Sequence, residues 1–280
     1  MKFGPAGNSA YYTATISKST ADAPRWLKSI GLDAFEYPCG RGVAIKDESA
    51  KIIGDNAKAE GILMSVHSPY FISLSNRDKN EGNIRYVLDS GRVARLMNAD
   101  RIVIHSGSAG SDRRNTIKSS IENLKDILKR TEDEGYGDIL FCIETMGKIN
   151  QLGTVDEVIE QCQLSERLIP CVDFGHLYAR THGEFATAEL YADTLDKLSN
   201  SLGFERVQSF HMHFSKIEFS AGGEVRHLIF EDNRFGPDFS VLAPVLIEKG
   251  FTPRVICESA GTQAFDALEM KKIYESLIKK

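Results

Sequence analysis

Apolar and polar positions fall in blocks along this chain, with short apolar runs separated by longer stretches of helical period. The runs lie at 2–4, 34–37, 62–67, 101–105, 139–144, 169–173, 209–213 and 254–258. Between them, Trp26, Leu27 and Ile30 share one face of a predicted helix over 22–30, with Pro24 acceptable in its first turn. A helix follows over about 47–60. Ile84, Val87, Leu88, Gly91 and Ala94 repeat the spacing, as do Ile117, Ile121, Leu124 and Leu128, and a last helix covers about 265–278. Near-continuous apolar strands separated by helices predict a parallel sheet buried on both faces. Eight such units predict an α/β fold closed into a (β/α)8 TIM barrel, the doubly wound open sheet being the alternative. No glycine-rich dinucleotide or phosphate loop follows any strand, which weighs against the open sheet. No linker or low-complexity tract divides the chain, so residues 1–280 are expected to form one domain.

Composition narrows this picture only a little. A net charge of −5 does not mark a nucleic-acid binder, although bound metal ions can reverse the field locally. No apolar run approaches the roughly 20 residues a membrane span needs, so no membrane partner is expected. The opening MKFGPAGNSA lacks the plan of a signal peptide, and the five cysteines contain no C-x-x-C pair. Both features point to a reduced, cytoplasmic setting.

The chemistry gathers where the strands end. Six runs finish on a residue that binds metals: His67, His105, Glu144, Asp173, His213 and Glu258. Strand C-termini of a βα barrel converge on one mouth, so these six become neighbours there. A histidine alone at a strand end reads more readily as a capped or hydrogen-bonded polar residue, and Asp or Glu there as a helix cap or early-helix charge, but that reading must be invoked six times in one register. Mixed imidazole and carboxylate ligands suit zinc, with manganese or iron as substitutes. His176 follows Asp173 by three residues on the turn leaving the sixth strand, and His227 lies in a long loop after the seventh. His211, two residues before His213, points to the same face one layer deeper and is expected to support the site rather than ligate.

The segments HSPYFISL at His67, VIHSGS at His105, CIETMGKINQLGT at Glu144, CVDFGHLYA at 173–176, HMHFSK at His213 and ICES at Glu258 together resemble the endonuclease IV class of abasic-site DNA repair enzymes. The resemblance runs over essentially the full chain. It implies a metal-dependent phosphodiester hydrolase, a zinc-dependent deoxyribonuclease that nicks DNA on the 5′ side of an abasic site in base excision repair. It implies His67, His105, Glu144, Asp173, His176, His213, His227 and Glu258 as ligands of two to three Zn2+ ions. Glu144 would bridge two of them, with Glu144 and Glu258 as the catalytic carboxylates. Tyr70 and Phe71 match side chains that wedge into the DNA; from the residues alone, core packing is the alternative. Arg41, Lys216 and Arg226 are candidate phosphate contacts, against the reading of solvated loop charge. The implied partner is double-stranded DNA with abasic sites, and no obligate protein partner is expected.

Two features depart from that class. Its members carry an Asp-x-His pair in the loop after the seventh strand, where this chain has Val225-Arg226-His227. A third ion held only by His176 and His227 would be weak, and Mn2+ or Fe become candidates for it, unless a shifted loop brings in Glu224. The turn YPCGRGVAI also differs from the DNA-contacting loop of that class. Two other functions compete. A mononuclear sugar isomerase or epimerase needs only Glu144, Asp173, His213 and Glu258, and leaves His67, His105 and His227 without a purpose. A lesion-binding protein that has lost turnover is the other.

Overall fold

The computed structural model describes residues 1–279. Its strands are β1 (Lys2–Pro5), β2 (Ala34–Pro38), β3 (Leu63–His67), β4 (Arg101–Ile104), β5 (Leu140–Glu144), β6 (Leu168–Asp173), β7 (His211–Phe214), β8 (Lys216–Ser220), β9 (Gly223–Leu228) and β10 (Arg254–Cys257). Between them run α1 (Ala23–Ser29), α2 (Asp47–Glu60), α3 (Asn80–Leu96), α4 (Arg113–Asp133), α5 (Val155–Cys162), α6 (Phe174–Arg180), α7 (Ala188–Leu202), α8 (Phe204–Val207), α9 (Phe239–Glu248) and α10 (Gln263–Ile278). Eight strands form one parallel sheet in the order β1-β10-β7-β6-β5-β4-β3-β2. The seam between β1 and β2 is closed by Asp33 N donating to the Phe3 carbonyl (2.8 Å) and Gly7 N donating to the Glu36 carbonyl (2.9 Å). Gly4 permits that approach, because a Cβ there would sit 1.9 Å from the Ala34 carbonyl oxygen. The expected (β/α)8 TIM barrel is the fold.

The strands read as apolar runs because both their faces are covered: β4, β6, β7 and β10 are buried at every position. One face packs on the helices in the main core. The other points into the barrel, where Val103, Cys142, Ile169 and Cys171 form a separate apolar cluster. Period two then orders the interior. Arg101, Val103 and His105 share a face, as do Leu140, Cys142 and Glu144, then Ile169, Cys171 and Asp173. Each of these strands thus carries an apolar plug beneath a metal-binding residue.

Two expectations about the seventh unit need correction. Its strand begins at His211 rather than at 209, and the segment after it is not a long loop but the antiparallel ribbon β8–β9. The ribbon is half exposed, and Glu224 and His227 on β9 line the cavity at the mouth of the barrel.

Candidate metal centre

Glu144 stands at the middle of the mouth and is buried, with 1% exposure. Its Oε2 lies 2.9 Å from His105 Nε2 and 3.3 Å from His67 Nε2. Its Oε1 lies 3.1 Å from His213 Nδ1 and 3.4 Å from His176 Nδ1. Each oxygen therefore faces a different set of imidazoles. Three ligand groups line the mouth, each with its donor atoms within 4.8 Å of one another: His67, His105 and Glu144; Glu144, Asp173, His213 and Glu258; and His176, Glu224 and His227; a fourth, wholly buried, is Cys171, His211 and His213.

Backbone and side-chain oxygens hold most of the rings in one orientation. His67 Nδ1 lies 2.7 Å from the Ser68 carbonyl, His105 Nδ1 3.2 Å from the Tyr70 carbonyl and His176 Nδ1 2.9 Å from the Thr145 carbonyl. A carbonyl only accepts, so each Nδ1 carries the proton and Nε2 is left for a ligand. His227 Nδ1 meets the Ser215 hydroxyl at 2.8 Å. Asp173 does two things at once: Oδ1 accepts from His176 N (2.7 Å) to cap α6, which leaves Oδ2 to face the site.

The third group contains a residue the Asp-x-His comparison would exclude. In a regular strand, Glu224 and His227, three apart, would lie on opposite faces. The ribbon pairs Arg226 with Glu218 and Glu224 with Phe219, so Val225 is an extra residue in a β-bulge. That one insertion restores Glu224 and His227 to the same face, while Val225 points out with 50% exposure. Glu224 Oε2 then lies 3.4 Å from His176 Nε2. Gly147 makes room for it, since a Cβ at 147 would come within 2.6 Å of Glu224 Cβ. A carboxylate therefore faces His176 from one residue before Val225.

The charge balance suits a cation. Glu36, Glu144, Asp173, Glu224 and Glu258 are concentrated around five imidazoles. Burial alone would depress the His67 imidazolium, but the Glu144 carboxylate outweighs it and pushes the pKa up to about 9. His176 and His213 are likewise raised well above the ordinary range against burial, His176 by Asp173, Glu224 and Glu144, and His213 by the Cys171 sulfur and then by Glu258, Glu36 and Glu144. Such carboxylates need positive charge nearby, from protons or from metal. Asp173 Oδ2 is buried with no hydrogen-bond partner among the described residues, as a ligand atom would be. The residues present fit divalent metal ions.

The other predicted residues divide. Tyr70 (52% exposed) and Phe71 (40% exposed) are at the rim and not in the core; Tyr70 lines the cavity of about 360 Å³ above the ligands, and Phe71 packs edge-on against Tyr86. Arg41 is exposed beside Gly40, which also lines that cavity. Lys216 is not brought to the cavity: its ammonium donates to the carbonyls of Phe230 (2.7 Å) and Asp232 (2.5 Å). Arg226 pairs with Glu218 at 2.7 Å on the outer side of the ribbon. Two charged lining residues were missed from the sequence. Lys148 is an exposed cation on the loop after Glu144, and Glu36 is a fully buried carboxylate on β2. The signal for Glu36 was a charge inside the apolar run AFEYP.

Fold and site together define a barrel with a cluster of candidate metal ligands at the C-terminal ends of its strands. Residues 24–278 match the family described as Xylose isomerase-like TIM barrel, and the chain belongs to that family. It is 31% identical over 258 residues to an uncharacterized protein of Methanocaldococcus jannaschii, covering 90% of each chain. It is 29% identical over 192 residues to a probable endonuclease 4 of Staphylococcus carnosus, covering 65% of this chain and 62% of that one. Among solved structures, endonuclease IV from Thermus thermophilus superposes with a TM-score of 0.69 at 16% identity, covering 100% of this chain and 99% of that one. A D-tagatose 3-epimerase-like protein superposes with a TM-score of 0.71 at 21% identity, covering 100% and 97%. The sequence relatives bear out the resemblance to endonuclease IV. The structural likenesses establish the fold, which serves both kinds of enzyme.

Proposed function

We propose that this chain is a metal-dependent phosphodiester hydrolase that nicks DNA on the 5′ side of abasic sites, with the whole chain as one catalytic domain. The observation that carries the reading is the number of ligand groups. Glu144, Asp173, His213 and Glu258 suffice for one ion, yet His67 and His105 extend the site on one flank and His176, Glu224 and His227 on the other. The endonuclease 4 relatives support it. Among the described residues no helix is long and apolar enough to cross a membrane.

The residues above would hold two to three zinc ions, the third between His176, Glu224 and His227. Bound there, such ions lower the pKa of water and neutralise charge on the phosphoryl and leaving oxygens. The chain does the rest. Glu144 offers one oxygen to each side of the centre. Glu258, more open than Glu144 and Asp173, is placed to accept the proton of an incoming water. The exposed ring of Tyr70 offers a flat apolar face to the gap left by a missing base, where such contacts contribute about 1–3 kcal/mol. Lys148 and Arg41 present cations at the rim to backbone phosphates.

The test is to incubate the purified protein with a duplex holding one abasic site, with and without chelator. The expected product is a chelator-sensitive nick that leaves a 3′-hydroxyl. A second reading, a sugar epimerase, draws on the completeness of the four-residue group and on the epimerase-like neighbour. Interconversion of keto sugars with no nicking would transfer the assignment to it.

A further inference from the structure

Four of the five imidazoles in the centre tie Nδ1 to a neutral oxygen outside the ligand set, Ser68, Tyr70, Thr145 or Ser215, although His176 Nδ1 also lies 3.4 Å from Glu144 Oε1. His213 is turned the other way. Its Nδ1 faces Glu144 Oε1 (3.1 Å) and Glu258 Oε2 (3.5 Å), and its Nε2 points down into the barrel. There it lies 3.0 Å from Glu36 Oε1. The pair is at ion-pair distance without hydrogen-bond alignment: neither atom has a hydrogen-bond partner among the described residues, and both residues are 0% exposed.

Glu36 is itself held from two sides. Ser65 Oγ donates to its Oε2 at 2.8 Å, and His211 Nε2 lies 2.9 Å from the same oxygen. Those two contacts occupy Oε2 and leave Oε1 for His213. A carboxylate in that place favours the imidazole form with hydrogen on Nε2, which frees the Nδ1 lone pair for a metal.

We propose that Glu36 is the positioning residue of the centre: it fixes the orientation and tautomer of the inverted His213 so that Nδ1 is presented to the ion. The inference rests on the metal reading above and adds a supporting layer, Ser65–Glu36–His211, beneath it. Glu36 does not touch substrate and acts only through His213. Its place on β2 also ties the site to the β1–β2 seam, where the Glu36 carbonyl accepts from Gly7 N.

The experiment is zinc competition against a chromophoric chelator, with no DNA present, for the wild type, Glu36→Gln and Ser65→Ala. A glutamine cannot accept from both imidazoles through equivalent oxygens, and affinity for the tightest ion should fall about 10–100-fold, the scale for outer partners of ligating histidines. Ser65→Ala keeps the carboxylate and removes one supporting hydrogen bond. It should weaken the same ion about fivefold, and it keeps the question answerable if Glu36→Gln does not fold. Replacing zinc by Co2+ gives a second readout, because a reoriented His213 changes the visible absorption of the ion. A merely structural Glu36 would lower the melting temperature of the metal-free protein and leave both readouts at wild-type values, which overturns the proposal. A wild type with no tight metal overturns the metal reading and this inference together. A metal-loaded wild type that does not nick abasic DNA refutes the substrate alone, and the competition result still decides the role of Glu36.

Discussion

The two ends of the barrel are built from the same strands and handle charge in opposite ways. At the N-terminal end, Arg254 donates to both oxygens of Asp100 (2.7 and 2.9 Å) and to the Met64 carbonyl, while Arg101 reaches Asp100 and the Ser209 carbonyl. The two guanidiniums share that one carboxylate, with Arg254 Nε left without a partner among the described residues, and the end is plugged. Four residues along the same faces, His105 follows Arg101 and Glu258 follows Arg254, and there the carboxylates crowd together with an orphaned Asp173 oxygen. One end pairs its carboxylate with two cations; the other carries an excess of carboxylates. A charged cluster that closes on itself reads as structure, and one left open reads as a binding site.

The sharpest way to break this comparison is to cut the centre of the open end. Glu144→Gln keeps shape and removes the charge shared by both sides of the site. Nicking of abasic duplex should fall about 10³-fold or more, at or beyond the upper end for removal of one preorganised electrostatic group. The variant's circular dichroism should be unchanged. Cleavage at the wild-type rate would show that the ligand ring is not the reaction centre.

The matching cut at the plugged end should cost stability and leave activity alone. Asp100→Ala strands the buried Arg254 guanidinium. Breaking a fully buried pair costs about 3–5 kcal/mol, but water reaches and screens Asp100, so about 2 kcal/mol is expected. For a chain of this size that is a fall of about 4–8 °C in Tm. The pH dependence has a definite sign. Burial alone would raise the Asp100 pKa, but Arg254 and Arg101 pull it down to about 2. A depressed carboxylate stabilises above its unfolded pKa of about 3.9 and loses that contribution as pH falls through the folded value. The gap between wild type and Asp100→Ala should therefore be full at pH 5 and close as pH falls from 4 toward 2. A gap that persists at pH 2 would show that Asp100 acts by packing and not by charge.

Legibility in the sequence followed burial. The eight barrel strands were readable because both faces of each are covered, and the ligands were readable because strand ends are where apolar runs stop. The β8–β9 ribbon was not readable. It has one wet face, and Val225 breaks its period-two alternation in the middle. Lys216 misled for a related reason: its neighbourhood in the chain is the mouth, but its ammonium turns to carbonyls of the segment after β9. Glu36 is not legible from strand ends, because it sits inside β2 and a carboxylate inside a strand can face the barrel interior as readily as a valine. Sequence position reports which strand a residue is on, and only the closed barrel reports which layer.

The finest distinction lies within the open end, at the bulge. Glu224→Ala removes the carboxylate of the third group and leaves His176 and His227, fewer than the three protein ligands catalytic zinc usually keeps. In a chelator titration of metal content, the third ion should come off at about tenfold lower chelator than in the wild type, the other two unchanged. Val225→Asp restores the Asp-x-His spacing of the endonuclease IV class on paper. In this ribbon, however, position 225 is the extra residue of the bulge and faces solvent, so the new carboxylate points away from His176. The titration curve of Val225→Asp should match the wild type within about twofold, since a carboxylate out in water adds little to a metal site. The opposite pair of results, a tighter third ion in Val225→Asp and no change in Glu224→Ala, would mean that the ribbon pairs without its bulge and that face parity runs the other way. Because a one-residue shift of register exchanges every side chain between faces, the two variants cannot both tighten and loosen the site on one backbone path. The pair therefore reads the register of β9 directly from metal content.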